Sequence, residues 1–264
     1  RARNPDNEGP LEQLIPKART FHACEVNGFI YVWYHAESDQ QEPTWEMPRV
    51  DAICNGRWEY RGRTEHVVRC HIQEIPENGA DLNHLQQLHS VSVLLGCNWM
   101  DTKSWLNVLR HHWDPEWRMD DTHPHIAKIR LRQTTEIRGI KLPFSKLDID
   151  IEQIGPATVH LHINSSFGRG ILTQHIIPEG PMTMRVIHQL YTEPAVKPFW
   201  AELLIRAEAI MFERYIALRQ RREYTMIPLP NNSPIRVYQH WYHSTFFSPS
   251  SPTLLDLQDR LLLF

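Results

Sequence analysis

Hydrophobic and polar positions alternate strictly over Leu147-Asp148-Ile149-Asp150-Ile151-Glu152 and again over Val159-His160-Leu161-His162-Ile163-Asn164. That is the period of strands with one apolar and one wet face. Two further runs, about Ile171 to Ile177 and Met182 to Tyr191, complete an antiparallel meander, with turns predicted at Gly155-Pro156, Gly168-Arg169-Gly170 and Glu179-Gly180-Pro181. His160 and His162 fall on the polar face of this sheet and read as structural or solvated. The period then changes. Leu203, Ala207, Met211 and Tyr215 recur every four residues, which predicts a helix over roughly 199–220 with an apolar stripe against the sheet.

Upstream, Phe29 to Tyr34 reads as a strand following an Asn27-Gly28 turn, and two more strands are predicted near Trp58 to Arg61 and His66 to Ile72. A helix follows over roughly 79–90, beginning after Pro76, which cannot sit in a helix interior. The stretch between Trp105 and Ile126 reads as polar and turn-like. Its His111-His112 and His123-Pro124-His125 are either solvated loop residues or a second metal site, and Trp99, Trp105, Trp113 and Trp117 pack core or cavity walls.

A chain of 264 residues, 41% hydrophobic and 22% charged, can bury one large core or one core plus a fragment. With a net charge of -3 and no long basic stretch, nucleic acid is not an expected partner. Arg219, Arg221 and Arg222 suit a solvated helix end near the negative pole of its dipole. No apolar stretch reaches the roughly 20 residues needed to span a bilayer, and no signal peptide opens the chain. Cys24, Cys54, Cys70 and Cys97 lack C-x-x-C spacing and read as reduced, mostly buried thiols in a cytosolic setting. Beyond Phe246 a Ser-Pro-rich linker leads to an apolar end, read as a short amphipathic helix.

Residues 77–89, Glu-Asn-Gly-Ala-Asp-Leu-Asn-His-Leu-Gln-Gln-Leu-His, hold the candidate chemistry. Asp81 and His84 lie on neighbouring rows of a helix, whereas His84 and His89 point roughly 140° apart, so both imidazoles reach one metal only across a distortion such as a π-bulge. Two His plus one carboxylate with open positions is the donor set of non-haem Fe(II) oxygenases. The plainer alternative is a surface helix rich in His and Gln.

The run Gln73-Glu74-Ile75-Pro76-Glu77-Asn78-Gly79-Ala80-Asp81 with His84 and His89 resembles the catalytic domain of Rieske-type oxygenases, most closely the cholesterol 7-desaturases. Cys24 to His35, Phe212-Glu213-Arg214 and His240-Trp241-Tyr242 fit that family in the right order, and the resemblance spans roughly residues 10–245. It implies an α+β fold in which a curved antiparallel sheet grips one long helix around a substrate cavity. It also implies a division into the tail of a Rieske domain (1–50), the mononuclear iron domain (51–245) and an atypical tail (246–264).

By the same resemblance, His84 and His89 hold Fe(II), Asp81 bridges to a ligand His of a [2Fe-2S] cluster on a neighbouring subunit of a homotrimer, and Asn78 caps the helix or bonds near the iron. Electrons come from an NAD(P)H-dependent reductase or ferredoxin, O2 is the oxidant, and cholesterol becomes 7-dehydrocholesterol. Family members are membrane-associated. The cluster's Cys-x-His and Cys-x-x-His pairs are not in this sequence, and a start partway through the Rieske domain, an isoform or a decayed copy would each account for that. Where the family has Asp after a Phe-Glu-Arg-like stretch, this chain has Tyr215. A phenol, with a pKa of about 10, is a less ready ligand than Asp, and Glu208 and Glu213 are the nearby carboxylates. A non-catalytic sterol-binding remnant is the second functional class.

Overall fold

The alternating runs become one antiparallel sheet in the computed structural model, which describes residues 20–35, 42–81, 109–137, 140–142, 146–219, 230 and 233–247, without the side chains of 109–111 and 219. The chain divides into two units, Arg1–Val50 and Asp51–Phe264. In the first, β1 (Ala23–Val26) and β2 (Phe29–Val32) form a hairpin. Asn27 and Gly28 both have positive φ, 55° and 73°, as a two-residue turn that follows the strands' twist requires. Asn27 is buried, and its side chain donates to Pro48 O at 2.8 Å and accepts from Val50 N at 2.7 Å.

The second unit opens with a helical turn α1 (Asp51–Cys54) and then β3 (Glu59–Val68), α2 (Glu74–Glu77), β4 (Leu109–Met119), β5 (Ile126–Ile137), β6 (Ile140–Lys141), β7 (Leu147–Ile154), β8 (Thr158–Ser165), β9 (Gly168–Gly180) and β10 (Thr183–Thr192). The sheet order is β3-β10-β9-β8-β7-β5-β4, with β6 beside β5. Two helices follow, α3 (Pro198–Arg219) and α4 (Pro234–Phe246).

Several expectations are corrected. The two strands expected at 58–61 and 66–72 are one strand, β3. Its Gly62, at φ 139°, sits where the register against β10 slips at Leu190/Tyr191, so a bulge bends the strand without ending it. Much of the supposed loop from Trp105 to Ile126 is β4, and β5 follows it. The Asp114-Pro115-Glu116 run looked like a turn, but Pro115 lies in a strand at the sheet's edge, where a missing N–H is tolerated. The turn expected at Gly168-Arg169-Gly170 lies at 166–167, and the one at Glu179-Gly180-Pro181 at 181–182, because β9 runs longer than its apolar core. A separate helical turn, α2, surrounds Pro76, whose missing N–H has no intrahelical role in a first turn; the helix expected over 79–90 lies, beyond Asp81, outside the described residues. Of the described cysteines, Cys24 and Cys54 are exposed and Cys70 alone is buried.

The inner face of α3 also differs from its expected stripe. Leu203 is 38% exposed, whereas Ala201, Ile205, Phe212 and Tyr215 are buried. Adding Glu208 to those four gives steps of four, three, four and three, the stripe of a helix on a sheet. Ala201 and Ile205 pack with Leu172, Leu190 and Val196, while Phe212 and Tyr215 pack with Val68, Ile176, Met184 and Val186. The helix thus covers the β3-β10-β9 half of the inner face. The apolar positions of β5, β7 and β8, including Ile129, Ile151 and Val159, form a separate cluster beyond it.

Candidate functional site

The short turn α2 is pinned from three elements at once. Tyr215 in α3 donates its hydroxyl to Glu74 O at 3.4 Å. Tyr238 and Gln239 in α4 donate to Gln73 O and Glu77 Oε1, each at 3.2 Å. Gln153 in β7 donates to Pro76 O. Gln73 O and Pro76 O also accept locally, from Glu77 N at 3.3 Å and Gly79 N at 3.0 Å, so these side chains add second hydrogen bonds to the carbonyls and tie the turn to its surroundings. Glu74, itself buried, accepts from His71 N at 2.7 Å. Gly79 follows, and a Cβ there would lie 2.5 Å from Ile129 Cδ1 and 2.9 Å from Gln153 Nε2, so a larger residue would require those side-chain ends to move.

Helix α4 fixes this end of the molecule. Ser233 caps it, accepting from Arg236 N at 3.3 Å, and Pro234 occupies the first turn. Its Trp241 and Tyr242 donate to Pro124 O at 2.7 Å and Pro156 O at 2.8 Å, in the β4–β5 and β7–β8 turns. Tyr238, Trp241 and Tyr242 are buried, with Trp117 packed edge-on against the first two.

Between α2, α3 and the uncovered half of the inner face lies a cavity of about 170 Å³. Most of its wall is apolar, running along β7 from Gln153 through Ile151 to Ile149, about 13 Å at some 3.3 Å per residue. The polar groups reaching it are few: Asn78, Gln153, Gln174, Glu208 and Tyr215. Behind Gln174 stands His188, fully buried, with Nε2 2.9 Å from Gln174 Oε1 and Nδ1 3.4 Å from Thr64 Oγ1. Burial, then the neighbouring His66 and His175, hold its pKa down at about 3, so the ring is neutral. The Glu208 carboxyl lies 3.5 Å from His188 Nε2, and burial pushes its pKa up to about 7.

The residues expected to carry the chemistry are distributed as follows. His84 and His89 lie outside the described residues. Asn78 ends α2 and donates its side-chain amide to Ile75 O at 3.0 Å, capping the turn before the expected helix while also lining the cavity. Asp81 is half-buried at the end of the same turn, its N–H bonded to Glu77 O at 3.2 Å. Tyr215 and Glu208 both reach the cavity, and Glu213 is exposed. Among the described residues, Glu208 is the only carboxylate in the cavity wall. Sequence reasoning passed over Gln153, Gln174 and His188. Their signal was a polar residue at an inward position of an alternating strand.

Residues 32–246 match the family of the 3-Ketosteroid 9alpha-hydroxylase C-terminal domain. The chain is 32% identical over 260 residues to a cholesterol 7-desaturase of Xenopus laevis, covering 96% of this chain and 57% of that one. It is 34% identical over 259 residues to the cholesterol 7-desaturase of Caenorhabditis elegans, covering 95% and 59%. It thus spans somewhat over half the length of these relatives. In fold it is similar to dicamba monooxygenase bound to dicamba, with a TM-score of 0.52 at 12% identity over 91% of this chain and 70% of that one. It is likewise similar to Pseudomonas putida NdmA QL mutant with theobromine, with a TM-score of 0.53 at 14% identity over 90% and 62%.

Proposed function

We propose that the chain, which belongs to the family of the 3-Ketosteroid 9alpha-hydroxylase C-terminal domain, is a Rieske-type oxygenase of the cholesterol 7-desaturase kind and forms the iron- and sterol-binding part of an enzyme converting cholesterol to 7-dehydrocholesterol. Written in balance, one sterol, one O2, two electrons and two protons give the C7–C8 alkene and two waters. The observation that carries this reading is the mostly apolar cavity closed at one end by the pinned turn that runs into the His84/His89 motif. An apolar space with a few oriented polar groups suits a rigid hydrocarbon with one hydroxyl.

The donors fit iron. Glu208 is a half-buried carboxyl at the cavity whose ionised form is disfavoured by desolvation, a cost that a nearby divalent cation would remove. Fe(II) would be held by His84 and His89, with Glu208 or Tyr215 as the donor from α3, and when bound it would supply activation of O2. Glu213, exposed, is the weakest of the three candidates. Asn78 orients the end of the turn, and Asp81 bridges to a histidine of a neighbouring subunit's [2Fe-2S] cluster in a homotrimer. Electrons come from an NAD(P)H-dependent reductase or ferredoxin.

On this reading residues 1–50 are the tail of a Rieske domain, 51–245 the catalytic domain in which sheet and α3 grip the substrate, and 246–264 a tail of separate purpose. The whole enzyme works at a membrane; among the described residues no helix is long and apolar enough to cross one. One observation favours a second reading, a sterol binder without turnover: the family's Asp is Tyr215 here.

Cholesterol titration by calorimetry or fluorescence tests the shared premise. Saturable binding is expected for the purified chain. Loss of binding is expected for a folded Met211→Arg variant, which would place an unpaired charge in the cavity wall. Equal binding by the two proteins would refute this cavity as the sterol site. Formation of 7-dehydrocholesterol by the complete protein with a reductase then separates enzyme from binder.

A further inference from the structure

Strands β7 and β8 carry a second group of donors on the face turned away from the cavity. Ile151, Gln153, Val159 and Leu161 line the cavity; by alternation Glu152, His160 and His162 project to the other side. Glu152 pairs directly with His160 across the ladder, and His162 is two residues along on the same face. One ligand atom from each of the three lies within 4.8 Å of the others, and His162 Nε2 is 3.8 Å from Glu152 Oε2.

The second observation is an unsatisfied atom. His160 is 1% exposed, and its Nε2 makes no hydrogen bond. A buried ring nitrogen left without a partner is destabilising, so it calls for an explanation. The charges around it are otherwise engaged. Lys128, opposite Glu152 on β5, is 2.6 Å from Asp120 Oδ2. Asp150, opposite His162, accepts from Arg130 at 3.1 Å, and His175 on β9 is 3.1 Å from Thr173 Oγ1.

We infer that Glu152, His160 and His162 form a binding site for a divalent cation of the zinc class, separate from the iron motif. Two neutral imidazoles and one carboxylate are a familiar zinc donor set that leaves a fourth position for water. The His162 and Glu152 side chains are 40% and 29% exposed, which gives the ion a way in while His160 anchors it from within. Tetrahedral bonds of about 2.0–2.2 Å would draw the donors to about 3.4 Å apart, a closure that rotation of the two outer side chains supplies. Burial and the neighbouring His162 lower the His160 pKa to about 4, so its ring is neutral and ready to bind at pH 7. The ion would clamp β7 to β8.

The test is a Zn2+ titration of the full chain in a His84→Ala/His89→Ala background, with thermal melts alongside. One equivalent is expected to bind and to raise Tm. His162→Gln and Glu152→Gln, both at partly exposed positions and checked for folding by circular dichroism, should each weaken binding at least tenfold and remove the rise in Tm. No saturable Zn2+ binding in the background, or binding unchanged in both single variants, would overturn the inference. Because the iron motif's imidazoles are already removed, neither result depends on the proposed oxygenase reading.

Discussion

On the inner face of the sheet His188 is wholly buried, with Gln174 on one nitrogen and Thr64 near the other; on the outer face His160 is as deeply buried, and its Nε2 has no hydrogen-bond partner. Both sit in alternating strands, and both are neutral because burial lowers their pKa. The difference lies in what surrounds them. The inner ring bonds a glutamine that reaches an otherwise apolar wall, whereas the outer ring has an unpartnered nitrogen and stands in a cluster with a carboxylate and a second imidazole. Depth of burial alone therefore separates structural from ligand-seeking histidine poorly. The partner list separates them.

The contrast is broken most strongly by emptying the inner face. Leu190, fully buried between Leu172 and Ile205, should cost about 2–5 kcal/mol as Leu190→Ala. Truncating Arg185 on the outer face, which pairs with Glu65 and Glu179 at the surface, should shift the urea midpoint far less, since solvent screens exposed ion pairs. Urea denaturation of the two variants measures both. Similar losses would mean that the sheet is not anchored mainly through its inner face.

Acid should act on both faces alike. His160, His175 and His188 have folded pKa values of about 4, 3 and 3, below an unfolded value of 6.5. Above pH 6.5 neither state binds these protons; as pH falls below it the unfolded chain takes them up first, and stability drops until the folded values are reached. Between pH 7 and 5 each should cost about 2 kcal/mol. Glu208, raised to about 7, works the other way over 4.5–7 and offsets one histidine's share. Melting temperature against pH should decline on the acid side, more gently in His188→Gln.

A smaller effect sharpens the comparison at the cavity. Gln174→Ala removes the acceptor 2.9 Å from His188 Nε2 and leaves the Glu208 carboxyl, 3.5 Å away, as its remaining partner; the variant should cost about 1 kcal/mol by denaturation, bringing the inner ring closer to the state of the outer one.

The meander could be read from the sequence because Leu147–Ile154 and Thr158–Ser165 keep a period of two, and the long helix because 199–219 is an unbroken run with no Gly or Pro. The edge of the sheet could not. The sequence Asp114-Pro115-Glu116 carries turn chemistry into a strand, and only pairing with β5 overrides it. The inward stripe of α3 was misassigned because Glu208 occupies one of its positions, and a search for apolar residues steps over it to Leu203. Alternation placed His160 on the polar face correctly. It could not tell that this end of the face is buried, since period reports direction and not exposure. Asn78, Glu208 and Tyr215 are brought to one cavity by the fold, a convergence of residues 137 positions apart that no local pattern contains.

Iron content after anaerobic Fe(II) reconstitution tests the central claim most directly. Measured in a His162→Gln background, which removes the divalent-cation site inferred on the outer face, the chain should bind iron weakly, His84→Ala should abolish binding and Tyr215→Asp should strengthen it. Iron content unchanged by His84→Ala would contradict the assignment of residues 77–89 as the metal motif, and with it the proposed oxygenase site.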